Sequence, residues 1–319
     1  MGPHSKRIVS AVLGETHLHR NPFILPVFVP MLLLSFGSGI LIPILPLYAA
    51  SFDVSYALVG LALASQGLGM LVGDLPAGVL LSILGQRWAM LLGIGGTGLA
   101  MLAMGTTHVF FIVLVSGLLA GFAGALWNIS LHAYLTSTVP IDQRGRVLAT
   151  FGGIMRIGIF AGPIVGGAVG AAYGLRAPFY LYAAVTTAAA CVPAFFIKNL
   201  AAPPFQAKRR NGLRGHGGHL FDLMKKHYGV LLPAGAGQFF AAMIRSGRQI
   251  VIPLYGADVL GLDVQAIGWI ITLSAAVDMS MFYPAGLLMD RFGRKYAYVP
   301  SFFLQALGMG LIPFSSTFL

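Results

Sequence analysis

Charge is what this chain has least of. Only 9% of its 319 residues are Asp, Glu, Lys or Arg, against roughly 25% in an ordinary soluble domain. Acidic residues are the scarcest, 9 against 20 Lys and Arg. A water-soluble fold of this size cannot hide a residue content that is 57% hydrophobic, because much of any surface must face water. Lipid is the simplest solvent for it. A single cysteine, Cys191, excludes an internal disulfide framework and reads as a small apolar packing residue. No cluster of His, Cys and carboxylates suggests a metal site, and no Ser/His/Asp arrangement suggests a hydrolase. The chain therefore reads as no enzyme, with no cofactor.

What the sequence does have is long apolar runs. A spanning helix needs about 20 mostly apolar residues to cross about 30 Å of hydrocarbon. Candidate spans cover 24–50, 56–82, 88–106, 109–138, 147–172, 177–199, 229–257, 264–290 and 296–316. The short alternating strands of a membrane barrel are missing. The first run is too long for a signal-peptide core and carries no cleavage pattern, so it reads as a retained helix.

The positive charge is sorted by side. Of 20 basic residues, 16 fall in the N-terminus, in the even-numbered connections or in the long connection after the sixth span; Arg176 alone lies on the opposite face. The positive-inside rule then places the N-terminus on the cytoplasmic side of the cell membrane. This placement is a topology signal, and nucleic acid is not an expected partner. Residues 200–228 form a basic linker with Pro203 and Pro204. The expected organisation is a cytoplasmic N-terminus (1–23), a six-helix bundle (24–199), the linker (200–228) and a partial second bundle (229–319).

The two sides of that linker repeat each other. Pro46-Leu47-Tyr48 ends the first span and Pro253-Leu254-Tyr255 the seventh, 207 residues apart. Pro76-Ala77-Gly78 and Pro284-Ala285-Gly286, Gly60 and Gly268, and Gly85 and Gly293 are each 208 apart. Internal repeats of membrane helices characterise secondary transporters. A complete second set would end near residue 407, so the repeat predicts roughly 88 further residues and three further helices beyond Leu319.

Gly286-Leu287-Leu288-Met289-Asp290-Arg291-Phe292-Gly293-Arg294-Lys295 fully fits the loop signature G-x-x-x-D-R-x-G-R-[RK], and the chain resembles the major facilitator superfamily. The first-half copy keeps Gly78, Gly85 and Arg87, but Ser82, Ile83 and Gln86 replace the expected charges. In the fifth span, Gly158, Gly162, Pro163, Gly166 and Gly167 are similar to the G-x-x-x-G-P-x-x-G-G signature of the family's antiporters. Pro43 and Pro46 fit the same drug:proton antiporter branch. One position departs: Gly117 stands where the fourth-span segment R-x-x-x-G has an arginine linked to proton coupling. The resemblance implies an all-α membrane bundle, six helices plus about three. It also implies alternating access with a small-molecule substrate, efflux as the commonest activity, protons as a candidate coupling ion, and a monomer. A uniporter or importer of sugars or metabolites, and a non-transporting assembly or regulatory protein, are the alternatives.

Ionisable residues inside spans are costly and so are functional candidates. There are five: Asp74, Arg156, Arg245, Arg248 and Asp278. Depth along the helices suggests two pairings, Asp278 with Arg245 and Asp74 with Arg156; the resemblance, in which the fifth and eighth helices face each other across the two halves, implies a third, Arg156 with Asp278. Gln66, Trp127 and Asn128 are candidate cavity residues. The Gly93-x-Gly95-x-x-Gly98 run matches a dinucleotide fingerprint only by letters, since no strand precedes it, and reads as packing.

Overall fold

The computed structural model describes residues 25–139, 141–196 and 213–312, and these residues are helical apart from short connections. The expected N-terminal segment 1–23 and residues 200–212 of the linker lie outside the described residues. The helices are α1 (Leu25–Ala50), α2 (Tyr56–Thr106), α3 (Phe110–Thr138), α4 (Arg144–Tyr173), α5 (Ala177–Phe196), α6 (Leu213–Asp258), α7 (Val264–Ser280), α8 (Phe282–Phe292) and α9 (Arg294–Leu311). A 3-10 turn, Ile141–Gln143, precedes α4. Five of these helices are long and apolar enough to cross a membrane: α1 to α5.

Helix α2 counts as two spans. Its 51 residues would extend about 76 Å as one rod, more than twice the hydrocarbon thickness. The chain turns at Gly85, where φ is 77° and ψ is 168°, a conformation open essentially to glycine alone. The limbs 56–84 and 86–106 correspond to the second and third predicted spans. Gly293, between α8 and α9, adopts nearly the same conformation, φ 92° and ψ 161°. The two glycines are 208 residues apart, so the sequence repeat is also a repeat of backbone shape.

The eighth predicted span, 264–290, is broken at Met281 into α7 and α8. Pro284 supplies the reason: it has no N–H to give the Ser280 carbonyl, so the helical ladder lapses there. Helix α6 begins at Leu213, inside the segment expected as linker. From there to Asp258 the chain is helical throughout. Cys191 is exposed rather than packed. That corrects the packing reading, and the reason is simple: a small apolar thiol is as well accommodated by lipid as by a helix neighbour.

The first bundle is assembled through glycine. No hydrophobic force separates apolar side chains from lipid tails, so membrane helices hold together by close backbone approach. Helix α3 lies against both limbs of α2. A methyl group at Gly121 would collide with the Gln66 carbonyl, and one at Gly69 with the Leu118 carbonyl. On the other limb, a methyl at Gly93 would stand 2.6 Å from the Trp127 nitrogen. Helix α4 meets α1 in the same way: a methyl at Gly158 would lie 2.7 Å from the Phe36 nitrogen. Gly162 and Gly166 abut the backbone of Gly39 and Ile40.

Basic residues close the helix ends on their own face. Arg87 donates to the Ala194 carbonyl at 2.5 Å, and Arg144 donates to the Thr136 and Val139 carbonyls. These are terminal carbonyls that lack a partner within their helices. On the opposite face Arg176 reaches the Thr107 carbonyl and lies 3.0 Å and 2.9 Å from the ring nitrogens of His108.

Candidate functional site

Among the described residues, the two sets of helices meet at one end. There α4 crosses α7, and α1 crosses α6. A methyl at Gly268 would lie 2.6 Å from the Pro163 carbonyl oxygen and 3.1 Å from the Gly167 Cα. One at Gly167 would lie 2.8 Å from the Val264 carbonyl oxygen. Leu254 and Ile267 of the second set join Ile40, Ile44, Tyr48 and Val59 of the first in one buried cluster. All of this lies by the connections 51–55 and 259–263, the face poor in basic residues. Toward the basic face, the buried clusters of the described residues are built from the first set.

The antiporter-like glycines therefore divide by function within one helix. Gly158, Gly162 and Gly166 face α1 inside the first bundle. Pro163 and Gly167 face α7 across the two sets. Arg156, Phe160, Pro163 and Gly167 follow the i, i+4, i+7, i+11 spacing of one helical face. Arg156 thus extends the inter-set face of α4 toward the basic end.

Asp278 continues α7 to the same level. It is ten residues beyond Gly268, about 15 Å, whereas Arg156 is eleven residues before Gly167, about 16 Å. The two helices run antiparallel through the Gly167–Gly268 crossing, so the two charges stand level with each other. The ion-pair partner of Asp278 is Arg248 of α6, whose Nη2 donates to Oδ2 at 3.3 Å. This corrects the expected pairing with Arg245. Arg245 and Arg248 are about 60° apart around α6, enough to aim one and not the other. The arginine stem is also long enough to span the difference in depth that favours Arg245 on a count along the helix. The guanidinium and carboxylate are 37% and 62% exposed, so this pair is not sealed within the helix packing.

The remaining candidates do not join these charges. Asp74 is exposed on α2, on the face of Gly60, Gly67 and Gly78, where a Cβ would meet nothing within 4 Å. That face points away from α3. Trp127 is core rather than cavity wall: it is 8% exposed and packed with Met90, Ile94 and Leu131, because Gly93 leaves room for its backbone. Asn128 is partly buried and Gln66 exposed. Gly117 has a steric explanation. A Cβ there would meet the Ser65 hydroxyl of α2, so any side chain at this crossing requires Ser65 to turn aside.

In the loop signature, the side chains of Asp290 and Arg294 lie outside the described residues. Arg291 has its guanidinium 5.6 Å from the Phe292 ring centre, and Lys295 is exposed. The degenerate first copy has replaced charge with local bonds. Ser82 donates to the Val79 carbonyl, and buried Gln86 donates to Ser137 Oγ at 3.2 Å. Sequence reasoning did not single out Tyr56 or Asp258, yet their side chains are hydrogen-bonded across the two sets at 2.9 Å. The available signal was a carboxylate on the last residue of a helix, where the dipole disfavours it. Among the described residues, no group of three or more His, Cys, Asp or Glu could hold a metal ion.

Residues 27–319 match the family described as Major Facilitator Superfamily. An uncharacterized MFS-type transporter of Methanocaldococcus jannaschii is 22% identical over 95% of this chain and 76% of its own length. Multidrug resistance protein 2 of Bacillus subtilis is 25% identical over 81% of this chain and 64% of its own. The class B tetracycline resistance protein of Escherichia coli is 22% identical, over 89% and 71%. The chain thus spans about two thirds to three quarters of these relatives. Among solved structures, a bacterial homologue of the human lysosomal transporter Spinster superposes with a TM-score of 0.69. It is 15% identical and covers 87% of this chain and 64% of that one. A D-xylose-proton symporter gives 0.57 at 14% identity, covering 84% and 69%.

Proposed function

The chain belongs to the major facilitator superfamily, a family of multi-pass membrane transporters and not of enzymes, and on that premise we propose that it is a secondary active exporter of small amphipathic molecules. It works by alternating access between a six-helix half (24–199) and a second half that begins with α6, joined by the segment that precedes Leu213. The observation that carries this reading is the one-ended contact. Two helix sets that touch through Pro163, Gly167, Gly268 and an apolar cluster can rock about that contact, and rocking about a midplane site is how such repeats transport. The basic face is cytoplasmic by the positive-inside rule, so on this reading the crevice opens inward.

Export is favoured by the antiporter-like glycine face of α4 and by the multidrug and tetracycline resistance proteins among the relatives. Protons are the proposed coupling ion and Asp278 the group that carries them. With Gly117 packed on Ser65, coupling does not run through an arginine on α3. Protonation of Asp278 releases Arg248, and deprotonation restores the pair. The protein works in the cell membrane as a monomer.

Asp278→Asn tests this directly. In vesicles carrying the unsubstituted protein, an imposed proton gradient should drive substrate uptake. The Asp278→Asn variant should lose that gradient-driven uptake while substrate exchange without a gradient persists. Equal gradient-driven uptake by both proteins would remove Asp278 from the coupling.

A further inference from the structure

Two aspartates flank the connection between α6 and α7, and they differ in employment. Asp263 caps α7: its Oδ1 accepts the Ala266 N–H at 2.8 Å, the arrangement that satisfies a helix start. Asp258 closes α6 at the wrong end of the helix dipole, where negative charge is disfavoured. Its Oδ2 instead accepts the hydroxyl of Tyr56, the first residue of α2, at 2.9 Å. Local structure gains nothing from this carboxylate. What it gains is a partner 202 positions away, in the other half.

The setting makes that bond conditional. Tyr56 is 64% exposed, and Asp258 is exposed as well, so apolar burial does not hold the two side chains together. They lie beside the apolar contact of Val59, Leu254 and Ile267, at the same end as the Gly167–Gly268 crossing. When the halves part at this end, Tyr56 and Asp258 must part with them. The bond forms only in the closed arrangement.

We propose that Tyr56 and Asp258 form a latch that selectively stabilises closure of the face poor in basic residues. It is a positioning pair, separate from the charges of the crevice. This rests on the alternating-access reading, and it extends that reading by naming what sets the ratio of the two states. A contact made in one state and absent from the other shifts the equilibrium by its whole differential worth.

The test reads distances and needs no substrate. Spin labels are placed on Leu58→Cys and Val259→Cys in a Cys191→Ser background, and pulsed electron resonance gives the distance distribution in lipid nanodiscs. The protein with Tyr56 and Asp258 intact should give mainly short distances. Tyr56→Phe should raise the ratio of long to short distances about two- to fivefold, the scale of one exposed charge-assisted hydrogen bond. Asp258→Ala should do the same, and the double variant should do no more than either alone. Asp258→Asn keeps an acceptor oxygen and should shift the ratio less. An unchanged ratio in Tyr56→Phe overturns the latch, even if that protein melts at a lower temperature, because the bond is then a static brace. Full additivity in the double variant overturns it too. Failure of proton-driven uptake with an intact distance response would instead count against the transport reading.

Discussion

Adding one methyl group to Gly268 should change which state the protein occupies without unfolding it. The new Cβ would stand 2.6 Å from the Pro163 carbonyl oxygen and 3.1 Å from the Gly167 Cα. Ordinary contact needs about 3.5 Å, and both neighbours are backbone, so neither can rotate aside. Helices α4 and α7 must therefore separate by just under about 1 Å. Overpacking of this kind costs about 1–3 kcal/mol. The cost falls only on the state in which the two helices touch, so it shifts the conformational ratio by about 5- to 150-fold. Gly162→Ala is the matched control. Its methyl collides with the Gly39 backbone of α1, within the first bundle, where the contact persists in every state. We predict that Gly268→Ala lengthens the label distance between positions 58 and 259 with little change in melting temperature. Gly162→Ala should lower the melting temperature with little change in distance. If Gly268→Ala lowers the melting temperature as much as Gly162→Ala and leaves the distances alone, the crossing is static packing and the rocking argument fails.

The turn glycines give a second measurement. Gly85→Ala should cost about 1–3 kcal/mol through its backbone angles alone, and Gly293→Ala should cost a similar amount. Gly95→Ala, where a Cβ meets nothing within 4 Å, should be neutral or slightly stabilising in a thermal melt. Trp127→Ala should lose about 3–5 kcal/mol and lower the yield of folded protein whatever the substrate. A changed substrate range at unchanged melting temperature would return Trp127 to the cavity.

Much of this architecture is legible in the sequence, for identifiable reasons. Hydropathy finds the spans because lipid demands continuous apolar length. The repeat finds Gly85 and Gly293 because both turns need the same backbone angles, which other residues resist. Phase around a helix is harder to read. Asp278 meets Arg248 and not Arg245 through a rotation of about 60° that depth counting ignores. The steric role of Gly117 does have a sequence signal. Gly69-x-x-x-Gly73 and Gly117-x-x-x-Gly121 are a matched pair of small-residue stripes, the pattern by which membrane helices approach closely. Tyr56 and Asp258 escape notice because exposed polar residues at span ends are common, and only the fold shows which of them face each other.

The two turn glycines also separate shape from charge. Gly85 and Gly293 hold nearly the same backbone angles, yet the loop around Gly293 has the full set of charged residues and the loop around Gly85 has Ser82, Ile83 and Gln86 instead. The bend is fixed by sterics, so it survives any change in neighbouring side chains so long as the glycine stays. The charges are free to vary without moving the helices. One copy can thus be rewired, by restoring acidic and basic side chains at positions 82, 83 and 86, with the scaffold left as it is. The asymmetry between the halves is a difference in decoration on one inherited hinge.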